Sequence, residues 1–489
     1  MITFILSLLA LVLGYFVYGR FVERVFGPDD RETPAIAKAD GVDFMVLPNW
    51  KIFMIQFLNI AGTGPIFGAI MGAKFGPSAY LWIVFGCIFA GATHDYLSGM
   101  ISMRKGGVGL HEVIGETLGD KTRKLMLVFS VVLLTMVGAV FVYSPAEILD
   151  GMAGTTTMWI IIIFAYYFIA TMLPVDKVIG RIYPLFAFSL LFMAGALMVV
   201  LFLKWPSVPE LWDGLGNKAL TVDSSWSSQL YPCLFITIAC GAISGFHATQ
   251  SPLMGRCMKS ERMGRPIFYG AMITEGVVAL IWATVASYFF YAEPQPGYQV
   301  ITEFANNGFS TSAPKVVNII CNDWLGVAGG ILAMLGVVAA PITSGDTALR
   351  SARLIIADFI RIEQRTIKRR LLISVPLFLC CIALLLWQVE NPDGFNVIWQ
   401  YFGWSNQTLS VFTLWAITVY LLQNGKPYYF MLIPALFMTT ICATYLFVSK
   451  QAFGMPDTIG YILGVVVLIV AYGWFHIYES KYKKNNKIS

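Results

Sequence analysis

From Ile2 to Tyr478 the sequence is a succession of apolar stretches, most of them close to the roughly 20 residues that a helix needs to cross a bilayer. In hydrocarbon no water satisfies a backbone N–H or C=O, so a chain patterned this way folds into helices that satisfy themselves internally. Composition agrees, since only 12% of residues are charged and 57% are hydrophobic, against about 25% charged in a soluble domain. The expected fold class is an all-α polytopic membrane protein forming one integral membrane domain in the lipid bilayer. Spans are expected from the first residues and near Trp50, Ser78, Lys124, Met158, Tyr183, Tyr231, Gly264, Trp324, Leu371, Ser405, Tyr429 and Thr458, about 13 transmembrane helices in all.

The basic residues test that number. If the spans alternate, 28 of the 33 Lys and Arg residues fall on one side, leaving Lys74, Lys204, Lys218, Lys315 and Lys450 on the other. A miscounted helix would scramble this split, and the positive-inside rule then puts the N-terminus outside and the C-terminus in the cytoplasm. The net charge of +5 is thus mainly a topology signal, and no basic patch interleaved with aromatics points to nucleic acid. Met1 to Gly19 has the length of a signal peptide but lacks a positive start and a small-residue cleavage site, so a retained helix is expected.

Two spans contain breaks. The one from Trp50 holds Asn59-Ile60-Ala61-Gly62-Thr63-Gly64-Pro65. Pro65 disfavours helix at Gly64 and suits the first turn of a new one, so amides from Gly64 through Ile66 to Gly68 are expected to point into the break with the positive end of a half-helix dipole, which favours an anion. Gly64, Gly68 and Gly72 also have the spacing of close helix packing. The span from Tyr231 holds Cys240 to Pro252, where Gly241, Gly245 and Pro252 are expected to break the helix and Ser244, Phe246, His247 and Gln250 to line it. The two breaks lie five spans apart, so they run in opposite directions, as two inverted five-helix repeats require, and such paired breaks mark a midplane substrate site. The expected organisation is a first helix and linker (1–49), a first repeat (50–203), a second repeat (204–428), and two peripheral helices with a tail (429–489). The long segments Lys204 to Gln229 and Ala292 to Asp323 lie outside; in the second, Val300 to Asn307 and Pro314 to Cys321 read either as helices of a lid or as ordinary surface loop.

Other polar groups at membrane depth are candidates for ion coupling. Thr343, Asp346, Thr347 and Arg350 share one helix face; Thr343 and Ser344 offer oxygens to a cation, Asp346 could carry a proton, and the Asp346/Arg350 pair could equally mark the interface. His94-Asp95 could relay a proton or bond within the bundle, and Glu275 has no partner visible in sequence. Ser405-Asn406-Gln407 is expected to open a span and either close the site or cap that helix. No metal site and no cofactor beyond a co-transported H⁺ or Na⁺ is expected: the eight cysteines lack metal-ligand or redox spacing. His111-Glu112 lacks the second histidine of a zinc helix, and no phosphate loop or nucleophile elbow occurs, so no enzyme is expected.

Ala39-Asp40-Gly41-Val42-Asp43, then Ile60-Ala61-Gly62-Thr63-Gly64-Pro65-Ile66, Ile243-Ser244-Gly245-Phe246-His247-Ala248, Ser351-Ala352-Arg353 and Asn406-Gln407 together resemble the carbon starvation protein A (CstA) family. The resemblance implies a bacterial or archaeal inner-membrane transporter of the amino acid, polyamine and organocation superfamily with a LeuT-like fold, importing peptides or, in close relatives, pyruvate with protons under nutrient limitation. Longer members tend to have a His-His pair where this chain has Ile55-Gln56, and Gln where it has His94, which leaves Asp95 and Asp346 as the expected coupling acids. The resulting expectation is secondary active uptake of a small carboxylate-bearing nutrient. The alternative is a nutrient sensor on the same scaffold that binds without transport.

Overall fold

The computed structural model describes residues 1–39, 44–150, 153–172, 175–218, 230–291, 312–362, 366–391 and 394–486, and all regular structure within them is helical. The first expected lid helix, Val300 to Asn307, lies outside these residues. Successive helices are α1 (Ile2–Phe16), α2 (Tyr18–Phe26), α3 (Asn49–Ala61), α4 (Ala69–Ala73), α5 (Ala92–Arg104), α6 (Leu110–Leu118), α7 (Asp120–Asp150), α8 (Thr156–Met172) and α9 (Val175–Lys204). There follow α10 (Leu230–Thr237), α11 (His247–Gly255), α12 (Gly270–Tyr291), α13 (Ala313–Phe359), α14 (Ile367–Glu390), α15 (Gly394–Gln423), α16 (Tyr429–Val448) and α17 (Asp457–Asn486). Wider π-type turns lead into α4 at Gly64–Gly68, into α5 at Trp82–Gly91 and into α12 at Arg265–Tyr269.

Among the described residues seven helices are long and apolar enough to cross a membrane, and Asn49–Ala61 with Gly64–Ala73 makes a further span bent by 51°. The chain is therefore a multi-pass membrane protein. Its bundle centres on α7, against which α13 lies, with α9 packed on α13. The terminal helix α17 turns Ile459, Ile462, Val465, Val466, Ile469 and Val470 outward, an apolar face suited to lipid. Of the two readings of Pro314 to Cys321, helix or surface loop, the helix is the one found: it is the first part of α13, before a non-helical turn at Gly326.

Several basic residues tie α2 to neighbouring segments. Arg104 binds the buried Glu261 at 2.9 Å and the Gly27 carbonyl at 2.5 Å, Arg265 pairs with Glu23 at 2.8 Å, and the Lys426 ammonium donates to Val25 and Phe26 carbonyls at 2.9 and 2.8 Å. In the segment after α2 Asp30 accepts the Arg262 guanidinium at 2.7 Å, which holds its carboxyl below the ordinary range. Elsewhere Glu210 pairs with the N-terminal ammonium and accepts the amide of Thr3 at 2.7 Å, which satisfies donors that a helix start leaves open. These contacts tie the peripheral α1 and α2 to the bundle.

Candidate substrate and ion site

The first break follows Ala61, where Gly62 adopts φ +38° and ψ −137°, a conformation open to glycine. Thr63 is followed by Pro65 in the first wide turn. One expectation is corrected here. The amides of Ile66 and Phe67 already donate to the Thr63 carbonyl, at 3.2 and 2.8 Å, because the restarting turn closes on itself. Among the described residues the amides of Gly62, Thr63 and Gly64 make no turn, loop or cap hydrogen bond, while Gly68 serves packing: a Cβ there would sit 3.2 Å from the Thr237 carbonyl.

The second break runs from Ile238 to Phe246, earlier than Cys240 to Pro252. Pro252 does not end the helix; it lies inside α11, which starts at His247. The break forms where neighbours satisfy its freed backbone. The indole of Trp82 donates to the Ile238 carbonyl at 3.3 Å, Gln407 donates to the Phe235 carbonyl at 2.9 Å, and Asn406 donates to the Ala239 carbonyl at 3.0 Å. Buried backbone groups that lost such partners would each cost about 1–3 kcal/mol.

Asn406 carries most of this load, and its position corrects another expectation. The Ser405-Asn406-Gln407 stretch neither opens nor caps a span, since α15 starts at Gly394 and places it mid-helix. The Asn406 side-chain oxygen accepts the Phe246 amide at 2.8 Å and the Ser244 hydroxyl at 3.1 Å, and its backbone carbonyl accepts the Gly245 amide at 3.2 Å. It thus holds the start of α11 from another helix. Asn406→Ala is expected to leave several buried groups unpaired, lowering stability by about 2–4 kcal/mol and cutting uptake by at least tenfold, measured by thermal unfolding and vesicle uptake. An unaltered uptake rate would refute the role.

The two breaks touch. A Cβ on Gly64 would lie 2.1 Å from the Cβ of Cys240, and one on Gly241 would lie 3.6 Å from the Cα of Pro65. A buried polar chain surrounds the second. Asp95 receives His94 Nδ1 on one oxygen and His247 Nδ1 on the other, each at 2.8 Å. His247 Nε2 faces Glu275 at 3.5 Å, and the other Glu275 oxygen accepts the Gly241 amide at 3.1 Å. Glu275, partnerless in sequence, therefore belongs to this site.

Gln56 joins the breaks by donating to Ser251 at 3.2 Å. Oxygens of Gln56, Asn59, Thr63 and Gln250 are buried without a hydrogen-bond partner among the described residues. Polar groups left so at membrane depth are candidates for contact with a solute. Gln250 lies in α11 and donates to Thr249 at 2.8 Å.

A second cluster adjoins the first break. The Ser344 hydroxyl donates to the Leu58 carbonyl at 3.3 Å and faces Gly62, where a Cβ would stand 3.4 Å from its oxygen. Thr343 instead bonds the Ala339 and Ala340 carbonyls of its own helix. Asp346 is fully buried, 3.6 Å from Nη2 of Arg350, and that same nitrogen donates to the Ala170 carbonyl at 2.6 Å. A polar crevice of about 430 Å³, lined by residues including Thr237, Trp399, Gln400, Lys450 and Asp457, lies beside the end of α10.

Comparison with known proteins decides the family. The model of the family described as carbon starvation protein CstA matches residues 1–156, 142–319 and 300–445. The chain belongs to the CstA family. A Haemophilus influenzae protein named "Uncharacterized membrane protein" is 44% identical over 344 residues, covering 60% of this CstA-family chain and 92% of its own. The "Peptide transporter CstA" of Bacillus subtilis is 27% identical and covers 96% of this chain and 94% of its own; that of Escherichia coli is 24% identical, covering 92% and 81%. A solved structure of the manganese transporter of Eremococcus coleocola, in complex with an aromatic bis-isothiourea substituted compound, aligns with a TM-score of 0.57 at 12% identity, over 91% of this chain and 99% of its own. That likeness shows a shared fold. With these relatives, the CstA-family chain reads as a membrane transporter.

Proposed function

We propose that this protein is a secondary active transporter that imports a small carboxylate-bearing nutrient, a peptide or a pyruvate-like acid, across the bacterial or archaeal inner membrane during carbon starvation, driven by H⁺ or Na⁺. The observation that carries this reading is the meeting of two broken helices, Gly64 against Cys240 and Gly241 against Pro65. Relatives named peptide transporters support the substrate class, since a peptide ends in a carboxylate. In this reading the helices form a LeuT-like pair of inverted five-helix repeats, with one further helix before them and two after, N-terminus outside.

The substrate carboxylate meets the Gly62 to Gly64 amides, where backbone N–H groups at the start of the second half-helix and its dipole favour a negative charge. Ser244, Gly245, Phe246, His247 and Gln250 form the opposite wall, with Gln56, Asn59 and Thr63 offering further oxygens. The driving cation acts on α13 beside the first break, where Thr343 lies one turn from Asp346 and Ser344 faces Gly62. Both Asp95 oxygens are engaged by imidazoles, so its part is to orient His247.

Uptake into proteoliposomes under an imposed proton or sodium gradient tests this reading. Accumulation of labelled dipeptide or pyruvate at least tenfold above the gradient-free level is expected with one of the two gradients. Saturable binding without accumulation would replace the transporter with a sensor, and neither binding nor accumulation of any carboxylate would reject the site.

A further inference from the structure

The cysteines look inert in sequence because their spacing matches no metal motif. The fold brings one of them to two other donors that lie 7 and 35 positions further on. Cys240 Sγ, a nitrogen of His247 and a carboxylate oxygen of Glu275 lie within 4.8 Å of one another, all three residues being buried. Their arrangement suits a metal better than a closed hydrogen-bond network. His247 Nε2 and Glu275 Oε2 face each other at 3.5 Å, yet neither has a hydrogen-bond partner among the described residues. For metal–nitrogen and metal–oxygen distances of about 2.0–2.2 Å, the N···O edge of a tetrahedral zinc site is about 3.4 Å.

The surroundings prepare each ligand. Asp95 takes His247 Nδ1 at 2.8 Å, which fixes the ring and leaves Nε2 its lone pair, the carboxylate–histidine arrangement common behind metal-bound imidazoles. The Gly241 amide anchors one Glu275 oxygen at 3.1 Å and leaves the other to point inward. Cys240 sulfur accepts from the Asn406 amide nitrogen at 3.6 Å, so a thiolate there has a donor available. Charge points the same way: a Cys240 thiolate with the Glu275 carboxylate matches a divalent cation, whereas two buried carboxylates otherwise share His247 between them.

We infer that Cys240, His247 and Glu275 form a binding site for a divalent transition-metal ion of intermediate softness, of the Zn²⁺ and Co²⁺ class, wedged in the second helix break. Thiolate, imidazole and carboxylate together select such ions over Mg²⁺ or Ca²⁺. Three protein ligands leave one tetrahedral position open. The inference stands apart from the transport reading, because metal uptake by purified protein is measured without any flux.

The test is titration of chelator-stripped, reduced protein in detergent with Co²⁺. One equivalent is expected to bind, with a near-ultraviolet thiolate-to-cobalt band and strong visible bands of four-coordinate cobalt, all displaced by Zn²⁺. Cys240→Ser is expected to abolish the thiolate band and weaken binding at least tenfold; Glu275→Gln is expected to weaken binding about tenfold while keeping the band. Size exclusion and thermal unfolding report whether the variants fold. If Cys240→Ser does not, X-ray absorption of the Zn²⁺-loaded natural protein decides: one sulfur at about 2.3 Å with nitrogen and oxygen at about 2.0–2.1 Å is expected. Absence of stoichiometric uptake, a thiolate band unchanged in Cys240→Ser, or a zinc shell without sulfur would each overturn the site.

Discussion

Gly245→Ala is expected to abolish uptake, whereas Gly195→Ala leaves it unchanged. A Cβ on Gly245 would stand 2.4 Å from the Asn406 carbonyl oxygen, 2.4 Å from the Ser410 amide nitrogen and 2.6 Å from the Leu409 Cβ. Two of these atoms are backbone, so no rotamer change relieves the overlap; α11 and α15 must separate. The Gly245 amide also bonds the Asn406 carbonyl at 3.2 Å, and separation breaks that bond along with the Asn406 contacts to Ser244 and Phe246. Overpacking of this kind costs about 3 kcal/mol, before the loss of the buried hydrogen bonds is added. A Cβ on Gly195 meets nothing within 4 Å, and alanine favours helix there by about 1 kcal/mol. Thermal unfolding and vesicle uptake of both variants check the contrast. Natural uptake by Gly245→Ala would mean that the break and α15 do not pack this way in the working protein.

The legible parts of the fold were those whose cause is local. Gly62-Thr63-Gly64-Pro65 announces a helix break because the proline and the glycines act on their own backbone, and the structure bends there by 51°. The apolar runs announce membrane helices for the same reason. The second break was legible in kind but not in extent. Gly241 does turn, at φ +84°, but Pro252 is absorbed into α11 while Ile238 and Ala239, with no breaking residue between them, leave the helix. What unwinds them is distant: Trp82, Asn406 and Gln407 offer side chains to their carbonyls, and such partners are invisible in a local reading.

The site divides along the same line. His247 and Ser244 stood out because polar side chains in an apolar run are conspicuous. Glu275 was equally conspicuous, but its connection to Gly241 and His247 depends on how α12 passes the break. Asn406 was misplaced because a Ser-Asn-Gln stretch after a tryptophan resembles a helix start, whereas the residues from Gly394 onward are helical despite their mixed character. The Ile66 amide shows a further limit: a half-helix start predicts available donors, but the exact turn decides which of them a ligand finds. The metal cluster combines residues from α11, α12 and the break that precedes α11, so no spacing rule could reveal it.

Asp346→Asn is expected to uncouple transport from the driving ion. Both Asp346 oxygens lack a hydrogen bond among the described residues, the side chain is fully buried, and its nearest basic group is 3.6 Å away on Arg350. A charge at membrane depth costs about 2.5–3.5 kcal/mol, and an ion pair this loose recovers only part of that. A carboxylate held so exposes negative charge to an incoming cation. Ser344, two residues earlier on α13 and on another face, donates to the Leu58 carbonyl at 3.3 Å, so a movement of α13 that follows a cation arriving at Asp346 is passed to the first break and links ion arrival to substrate closure. Asparagine keeps the volume and removes the charge. Gradient-driven accumulation is therefore expected to fall at least tenfold, while exchange of substrate across vesicles without a gradient stays within about twofold of the natural protein, a change of at least about fivefold in their ratio, or about 1 kcal/mol in coupling alone. The ratio of driven uptake to exchange is the measurement that matters, because an acid serving only as the structural partner of Arg350 would lower both together through lost stability. An unchanged ratio would remove Asp346 from the coupling site and leave Ser344 and Thr343 to bind the cation without it.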